Sequence, residues 1–251
     1  IEAVGFDLFN TLITVEDSTL KEGLARLTRS LRQSGIAVKH GPFVLAHREA
    51  ALRCAQRIRQ DGRETHNRFW ISAALETLGF SIPPGDPRIA EAVESYFSVF
   101  LDNASLLPGT TEMLEILQGR YRLGLLSNFT HPPAARKIMA GLGLVSFFEV
   151  VVISGDLGYR KPHPVVFREL IEQLGVPGER IAFVGDDPEA DISGAQQAGL
   201  QPIWSTYVRD HHISPVTGML DRPGADPSPV LARISNWEDL LWVLGLTPGR
   251  T

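Results

Sequence analysis

The chain has 251 residues, 43% of them hydrophobic and 21% charged, with a net charge of −5. That length suits one large domain or a core carrying a smaller second one, and the composition is that of a protein with a packed interior. The negative balance supplies no basic face, so neither nucleic acid nor anionic membrane is an expected partner.

Residues 1–8 read Ile-Glu-Ala-Val-Gly-Phe-Asp-Leu, a short apolar run interrupted by a carboxylate, as in a buried strand that ends at a site. Thr19 and Glu22 form a capping-box pattern, Leu20, Leu24, Leu27 and Leu31 recur at helical spacing, and Gly35 closes the segment. Further helices are expected over residues 42–60, 65–78 and 86–101, with no strand between Glu16 and Asn103. From Leu107-Pro108-Gly109-Thr110 onward the pattern changes. A short helix precedes a strand at 121–126, a helix at 132–141, a strand at 148–153 and a helix at 164–174. A strand at 180–184, a helix at 190–198 and a strand at 200–204 complete the alternation, which predicts a doubly wound parallel α/β sheet. The proline- and glycine-rich stretch 207–229 reads as a long loop, and 237–244 as a last helix. The expected organisation is an α/β core of residues 1–15 and 104–251, interrupted by an all-helical segment, 16–103.

In an open parallel sheet, ligands sit beyond the carboxyl ends of the strands. The first strand delivers Asp7, Phe9 and Thr11 to that edge, and the second Ser127 and Asn128. The turn after the third leads to Arg160 and Lys161, and the fourth delivers Asp186 and Asp187, with Asp191 at the start of the next helix. Clustered carboxylates repel one another, and a hard cation such as Mg²⁺ relieves this through oxygen ligands. A lysine beside such a metal makes a pocket for a small anionic group, to which Ser127 could donate. A carboxylate placed there can attack the electrophile and form a covalent ester or acyl phosphate.

Four segments in order, Asp7-Leu8-Phe9-Asn10-Thr11-Leu12, Leu126-Ser127-Asn128, Lys161-Pro162 and Gly185-Asp186-Asp187-Pro188-Glu189-Ala190-Asp191, resemble the motifs of the haloacid dehalogenase-like superfamily. The resemblance covers the chain to about Trp204. It implies a Rossmann-like core and makes 16–103 the family's small α-helical cap. It further implies Asp7 as nucleophile, with Ser127 and Lys161 as phosphate binders and Thr11 and Asn128 on the substrate side. The implied Mg²⁺ is held by Asp7, Asp186 and the backbone carbonyl of Phe9, with Asp187 or Asp191 in support. Either of the last two aspartates can instead cap the helix that follows.

Phe9 departs from the family's phosphatases, which carry there a second aspartate that protonates the leaving group and then activates water. Such acid–base help is worth roughly 10²–10⁴-fold in rate. Three readings stay open: a Mg²⁺-dependent phosphatase of a small phosphorylated metabolite, a metal-independent 2-haloacid dehalogenase, and a binding protein whose turnover was lost with the acid. Dehalogenases of the superfamily carry an aromatic at this position but dispense with the metal carboxylates, which this chain keeps; that weighs toward the phosphatase. Residues 61–68, polar and charged, read as a solvated loop or as a face turned to the site, and His47 and Arg48 as helix surface. Histidines 131, 163, 211 and 212 show no metal-ligand spacing. Cys54 is the only cysteine, which suits a reducing cytoplasm. No apolar run reaches the ~20 residues of a membrane span. The chain opens at Ile1 without methionine, on what reads as a strand rather than a signal peptide. Oligomeric state is not set by anything in the sequence.

Overall fold

A computed structural model of the chain describes residues 1–215, 227 and 230–246. The first apolar run forms β1 (Ala3–Phe6), buried throughout. A tight turn follows, in which the Leu12 and Ile13 amides donate to the Leu8 carbonyl and Asn10 adopts φ 61°, a left-handed conformation asparagine tolerates. The turn feeds β2 (Ile13–Val15), and then come α1 (Thr19–Gln33), α2 (His40–Asp61), α3 (Asn67–Thr77) and α4 (Pro87–Asn103). β3 (Ala104–Leu106) brings the chain back and pairs antiparallel with β2, Ile13 opposite Leu106 and Val15 opposite Ala104. Among the described residues no strand lies between 16 and 103, in line with the sequence reading. The two bounding strands were missed, because three residues are too few to show a two-residue period.

Beyond β3 the elements are α5 (Thr110–Gln118), β4 (Arg122–Ser127), α6 (Pro132–Gly141), β5 (Val150–Ile153), α7 (Ser154–Leu157) and α8 (Pro164–Leu174). After these come β6 (Ile181–Gly185), a π-helical turn (Pro188–Ser193) running into α9 (Gly194–Gln197), β7 (Gln201–Ser205), α10 (Tyr207–Asp210), β8 (Ala232–Ile234) and α11 (Trp237–Val243). The sheet order among the described residues is β5-β4-β1-β6-β7-β8, every pairing parallel. The chain winds outward from β1 to β4 and β5, then crosses back to β6 on the other side. The topological switch point therefore lies at the carboxyl end of β1, between β4 and β6, where such sheets hold their ligands.

Two apolar clusters flank the sheet. One holds Leu126, Val152, Phe167, Leu170 and Phe183. The other runs without a break from Val4 and Phe6 into Leu27, Leu31, Ile71 and Phe97 of the helical insert. Each large side chain buried there contributes roughly 1.5–3 kcal/mol, so the insert is packed onto the core rather than merely tethered to it.

Several expectations change. Thr19 is the first helical residue and not a cap; its hydroxyl accepts from the Asn103 amide at 3.2 Å, while Ser18 in the cap position makes no side-chain capping bond. The helix expected at 190–198 starts as the wide π turn, in which Asp191 turns its carboxylate back to the sheet edge. Of the stretch read as a loop, 207–210 are helical and 216–226, 228 and 229 lie outside the described residues. β8, with Arg233 at its centre, was not foreseen. His47 is buried, not on the surface. It sits between the Phe43 and Trp70 rings, and burial pushes it down to about 4, so it is neutral. Among the described residues, no helix is long and apolar enough to cross a membrane.

Candidate active site

Asp7 follows β1 directly, and its amide donates to the Val184 carbonyl at 2.9 Å, which fixes it to β6. Lys161 arrives from the loop between β5 and α8 and is 3% exposed. Its Nζ donates to Asp7 Oδ1 at 2.5 Å, Asp191 Oδ1 at 2.6 Å and the Leu126 carbonyl at 2.9 Å. All three ammonium protons are thus used, as a fully buried cation requires. Carboxylate oxygens of Asp7, Asp186 and Asp191 lie within 4.8 Å of one another. Asp191 is admitted this close because residue 185 is glycine, where a Cβ would meet the Asp191 carboxylate at 2.4 Å.

One lysine does not balance three carboxylates. Burial, reinforced by the Asp7, Asp191 and Asp187 charges, holds Asp186 well above the usual carboxylate range. Burial also lifts Asp191 to about 7, with Asp7 adding to the effect and Lys161 opposing it. Burial by itself depresses Lys161, but the facing Asp191 and Asp7 charges outweigh it and hold the ammonium above the ordinary lysine value. The pocket is short of positive charge.

Ser127, at the end of β4, is 1% exposed, and its Oγ has no hydrogen-bond partner among the described residues. A buried hydroxyl without a partner costs free energy, so this one is able to take a further hydrogen bond. Thr11 and Asn128, expected on the substrate side, are occupied otherwise. Thr11 Oγ1 donates to Asp7 Oδ2 at 3.2 Å and orients the carboxylate. Asn128 spends both ends of its amide on the Lys161 backbone, accepting from its N–H at 2.8 Å and donating to its carbonyl at 3.1 Å. Asp187, expected at the metal, has its Oδ1 engaged as a helix cap by the Glu189 and Ala190 amides, both at 2.8 Å. It stands outside the carboxylate trio, whose third member is Asp191.

The Phe9 side chain joins an aromatic wall. It stacks on Phe129 at 5.1 Å and meets Phe100 of α4 edge-on at 6.4 Å; Phe97 continues the wall to His131. The polar stretch 61–68, read as a solvated loop or a face turned to the site, keeps Asp61, Arg63 and Arg68 exposed but forms a seam between insert and core through Glu64, His66 and Asn67. Glu64 is buried against Ser154 and Arg160, His66 meets His131 at 3.2 Å, and Thr130 donates to Asn67 at 2.9 Å. His131 in turn lies 2.7 Å from Glu94. Glu64 also accepts from the Thr65 amide and His66 from the Arg68 amide, but the partners that tie this stretch to the core lie far along the chain.

A model of the family described as haloacid dehalogenase-like hydrolase matches residues 1–199. The chain belongs to this family. Among its relatives, the ribulose-1,5-bisphosphate 5-phosphatase of Halopiger xanaduensis is 31% identical over 80% of this chain and 83% of its own length. The glyceraldehyde 3-phosphate phosphatase of Pyrococcus abyssi is 27% identical over 82% of each. Among solved structures, a 2-haloacid dehalogenase from Pseudomonas syringae superposes with a TM-score of 0.71 at 28% identity, covering 98% of both chains. This haloacid dehalogenase-like hydrolase thus has named phosphatases and a named dehalogenase among the proteins it resembles.

Proposed function

We propose that the chain is a Mg²⁺-dependent phosphohydrolase of a small phosphorylated metabolite, with Asp7 as nucleophile. The observation that carries this reading is the carboxylate trio with its single lysine. Oxygen donors of Asp7, Asp186 and Asp191 gather within 4.8 Å, and two of them are held above the usual range. That donor set fits a hard divalent cation, with Asp7, Asp186 and the Phe9 carbonyl as its holders and Asp191 behind them. Bound there, Mg²⁺ would offset the acidic charge and polarise the phosphoryl oxygens.

The chain's own groups supply the rest. Thr11 and Lys161 hold the Asp7 carboxylate in one orientation, as an in-line attack on phosphorus requires. The partnerless Ser127 hydroxyl is free to donate to a phosphoryl oxygen, and Lys161 joins it by giving up one of its three present acceptors. The bond from Asp7 to phosphorus forms as the leaving oxygen departs, and water then hydrolyses the aspartyl-phosphate and restores Asp7. The helices of 16–103 act as a cap that excludes bulk water. Phe9 supplies no proton, so leaving groups that depart as stable anions are favoured over alkoxides.

A second reading, 2-haloacid dehalogenase, is favoured by the aromatic at residue 9 and by the Pseudomonas syringae likeness. A substrate panel separates the two. Acetyl phosphate and p-nitrophenyl phosphate are expected to be hydrolysed with Mg²⁺ and not in EDTA, alkyl phosphates slowly, and none of them by Asp7→Asn. Halide release from 2-chloropropionate in EDTA would overturn the phosphatase reading in favour of the dehalogenase. No turnover of any of these would remove both.

Mg²⁺ should also reveal itself in stability. Asp186 and Asp191 keep protons in the folded state that an unfolded chain has already released. Between the ordinary carboxylate value and about 7 for Asp191, the metal-free protein therefore loses stability as pH rises. The cation displaces those protons, so the rise in Tm on adding Mg²⁺ is expected to be small at pH ~5.5 and to grow as pH rises through about 7, where Asp191 titrates. His47 and His66, both pushed down to about 4, act in the opposite sense but equally with and without metal, so they cancel in the difference. A metal-induced shift that is flat or falling with pH, read by differential scanning calorimetry, would exclude these carboxylates as the ligands.

A further inference from the structure

We propose that Glu64, in the helical insert, is a positioning residue for Lys161, so that the catalytic ammonium is fully seated only when the insert is docked. The role of Lys161 rests on the phosphohydrolase reading; the coupling itself does not. The Glu64 side chain is 2% exposed, a costly place for a carboxylate unless it is paired. It accepts from Ser154 Oγ at 2.5 Å and lies 3.5 Å from the Arg160 guanidinium. The neighbouring Thr65 amide also donates to it at 2.9 Å, but Ser154 and Arg160 belong to the core, and each leads to a catalytic loop. Ser154 Oγ accepts from the Phe129 amide at 2.9 Å, in the loop that follows Ser127 and carries Asn128. Arg160 immediately precedes Lys161.

The backbone repeats the same connection. The Arg160 amide donates to the Gly62 carbonyl at 3.0 Å and the Glu64 amide to the Gly158 carbonyl at 2.9 Å, a short antiparallel bridge centred on Arg63 and Tyr159. Gly62, at φ 66°, lets the strands come this close; a Cβ there would lie 2.8 Å from the His163 ring. Lys161 is therefore gripped from two sides. Asn128 holds its peptide from the β4 loop, and Glu64 with Gly62 holds the preceding residue from the insert. A merely structural salt link would stabilise the seam without governing where the ammonium sits.

Chemical protection of Lys161 distinguishes these roles. The full chain, free of substrate, is reductively methylated at limiting reagent and Lys161 is quantified by mass spectrometry against the exposed Lys21 and Lys39. Lys161 is expected to be nearly unreactive in the parent protein. In Glu64→Ala it should react at least ~5-fold faster, and in Glu64→Gln, which keeps the shape and one acceptor, by an intermediate factor. Ile71→Ala, a cavity in the apolar core of the insert one turn of α3 beyond Asn67, is the control for general loosening and should leave Lys161 protected. Protection retained in both Glu64 variants would overturn the proposal, and so would equal exposure in Ile71→Ala. Should Glu64→Ala fail to fold, Glu64→Gln alone decides by the same criterion. Because no substrate is present, the result stands whether Asp7 attacks phosphorus, carbon or neither.

Discussion

Replacing Lys161 by methionine is expected to lower stability by about 3–5 kcal/mol in EDTA at pH 8, the usual cost of removing one partner from a buried ion pair. The size follows from what is left behind: Asp7 and Asp191 would face each other and Asp186 with no cation among them. For a chain of this length, that is a fall in Tm of roughly 10 °C. The carboxylates have an escape, since a proton taken up by Asp191 relieves the repulsion. Without Lys161 to hold it down, Asp191 rises beyond its parent value of about 7, so the penalty should shrink as pH falls toward 7. Mg²⁺ should restore part of the stability but little of the turnover, because methionine cannot donate to a phosphoryl oxygen. A Tm within 2 °C of the parent in EDTA at pH 8, measured by calorimetry, would mean that the lysine does not neutralise this pocket.

Phe9→Asp is expected to raise the hydrolysis of alkyl phosphate esters by roughly 10²–10⁴-fold, because it supplies the missing acid–base group. Acyl phosphates should gain little, since their leaving groups need no proton. The gain comes with a loss of stability. Phe9 stacks on Phe129 and touches Phe100, and an aspartate there adds a fourth carboxylate beside three that already repel. A loss of about 2–4 kcal/mol follows from the lost aromatic burial and the added charge. Steady-state kinetics with Mg²⁺ on acetyl phosphate and on an alkyl phosphate would show the contrast. An unchanged ratio between the two in a folded, Mg²⁺-responsive variant would refute the explanation given for residue 9.

The site was legible where chemistry coincides with a strand end. Asp7, Ser127 and Asp186 each terminate or directly follow an apolar run, and chain order in a doubly wound sheet brings such ends together. Lys161 could be placed by its proline neighbour and its distance past β5. Choosing between Asp187 and Asp191 was harder, because a ligand and a helix cap look alike in sequence. The deciding signal was nonetheless present: Pro188 is suited to the first helical position, which makes Asp187 the cap and frees Asp191 to turn inward. His47 was also readable, since Phe43, His47, Ala50 and Ala51 share the buried face of α2 at helical spacing. Asn128 and Glu64 were not. Whether an amide faces substrate or a backbone, and whether an acid faces water or Ser154, depends on partners 33 and 90 residues away. The three-residue strands β2, β3 and β8 owe their existence to their neighbours rather than to any pattern of their own.

The pairing of β2 with β3 has an architectural consequence. Its two members leave and rejoin the sheet domain side by side, about 4.8 Å apart, the ordinary distance between hydrogen-bonded strands. Seen from the Rossmann-like half of the molecule, the 88-residue excursion from 16 to 103 occupies the place of a hairpin loop. A module grafted at one closed gap can be lengthened, shortened or exchanged without re-threading the strands that carry the aspartates. A change at this graft point thus leaves the strand ends that carry Asp7, Ser127 and Asp186 where they are.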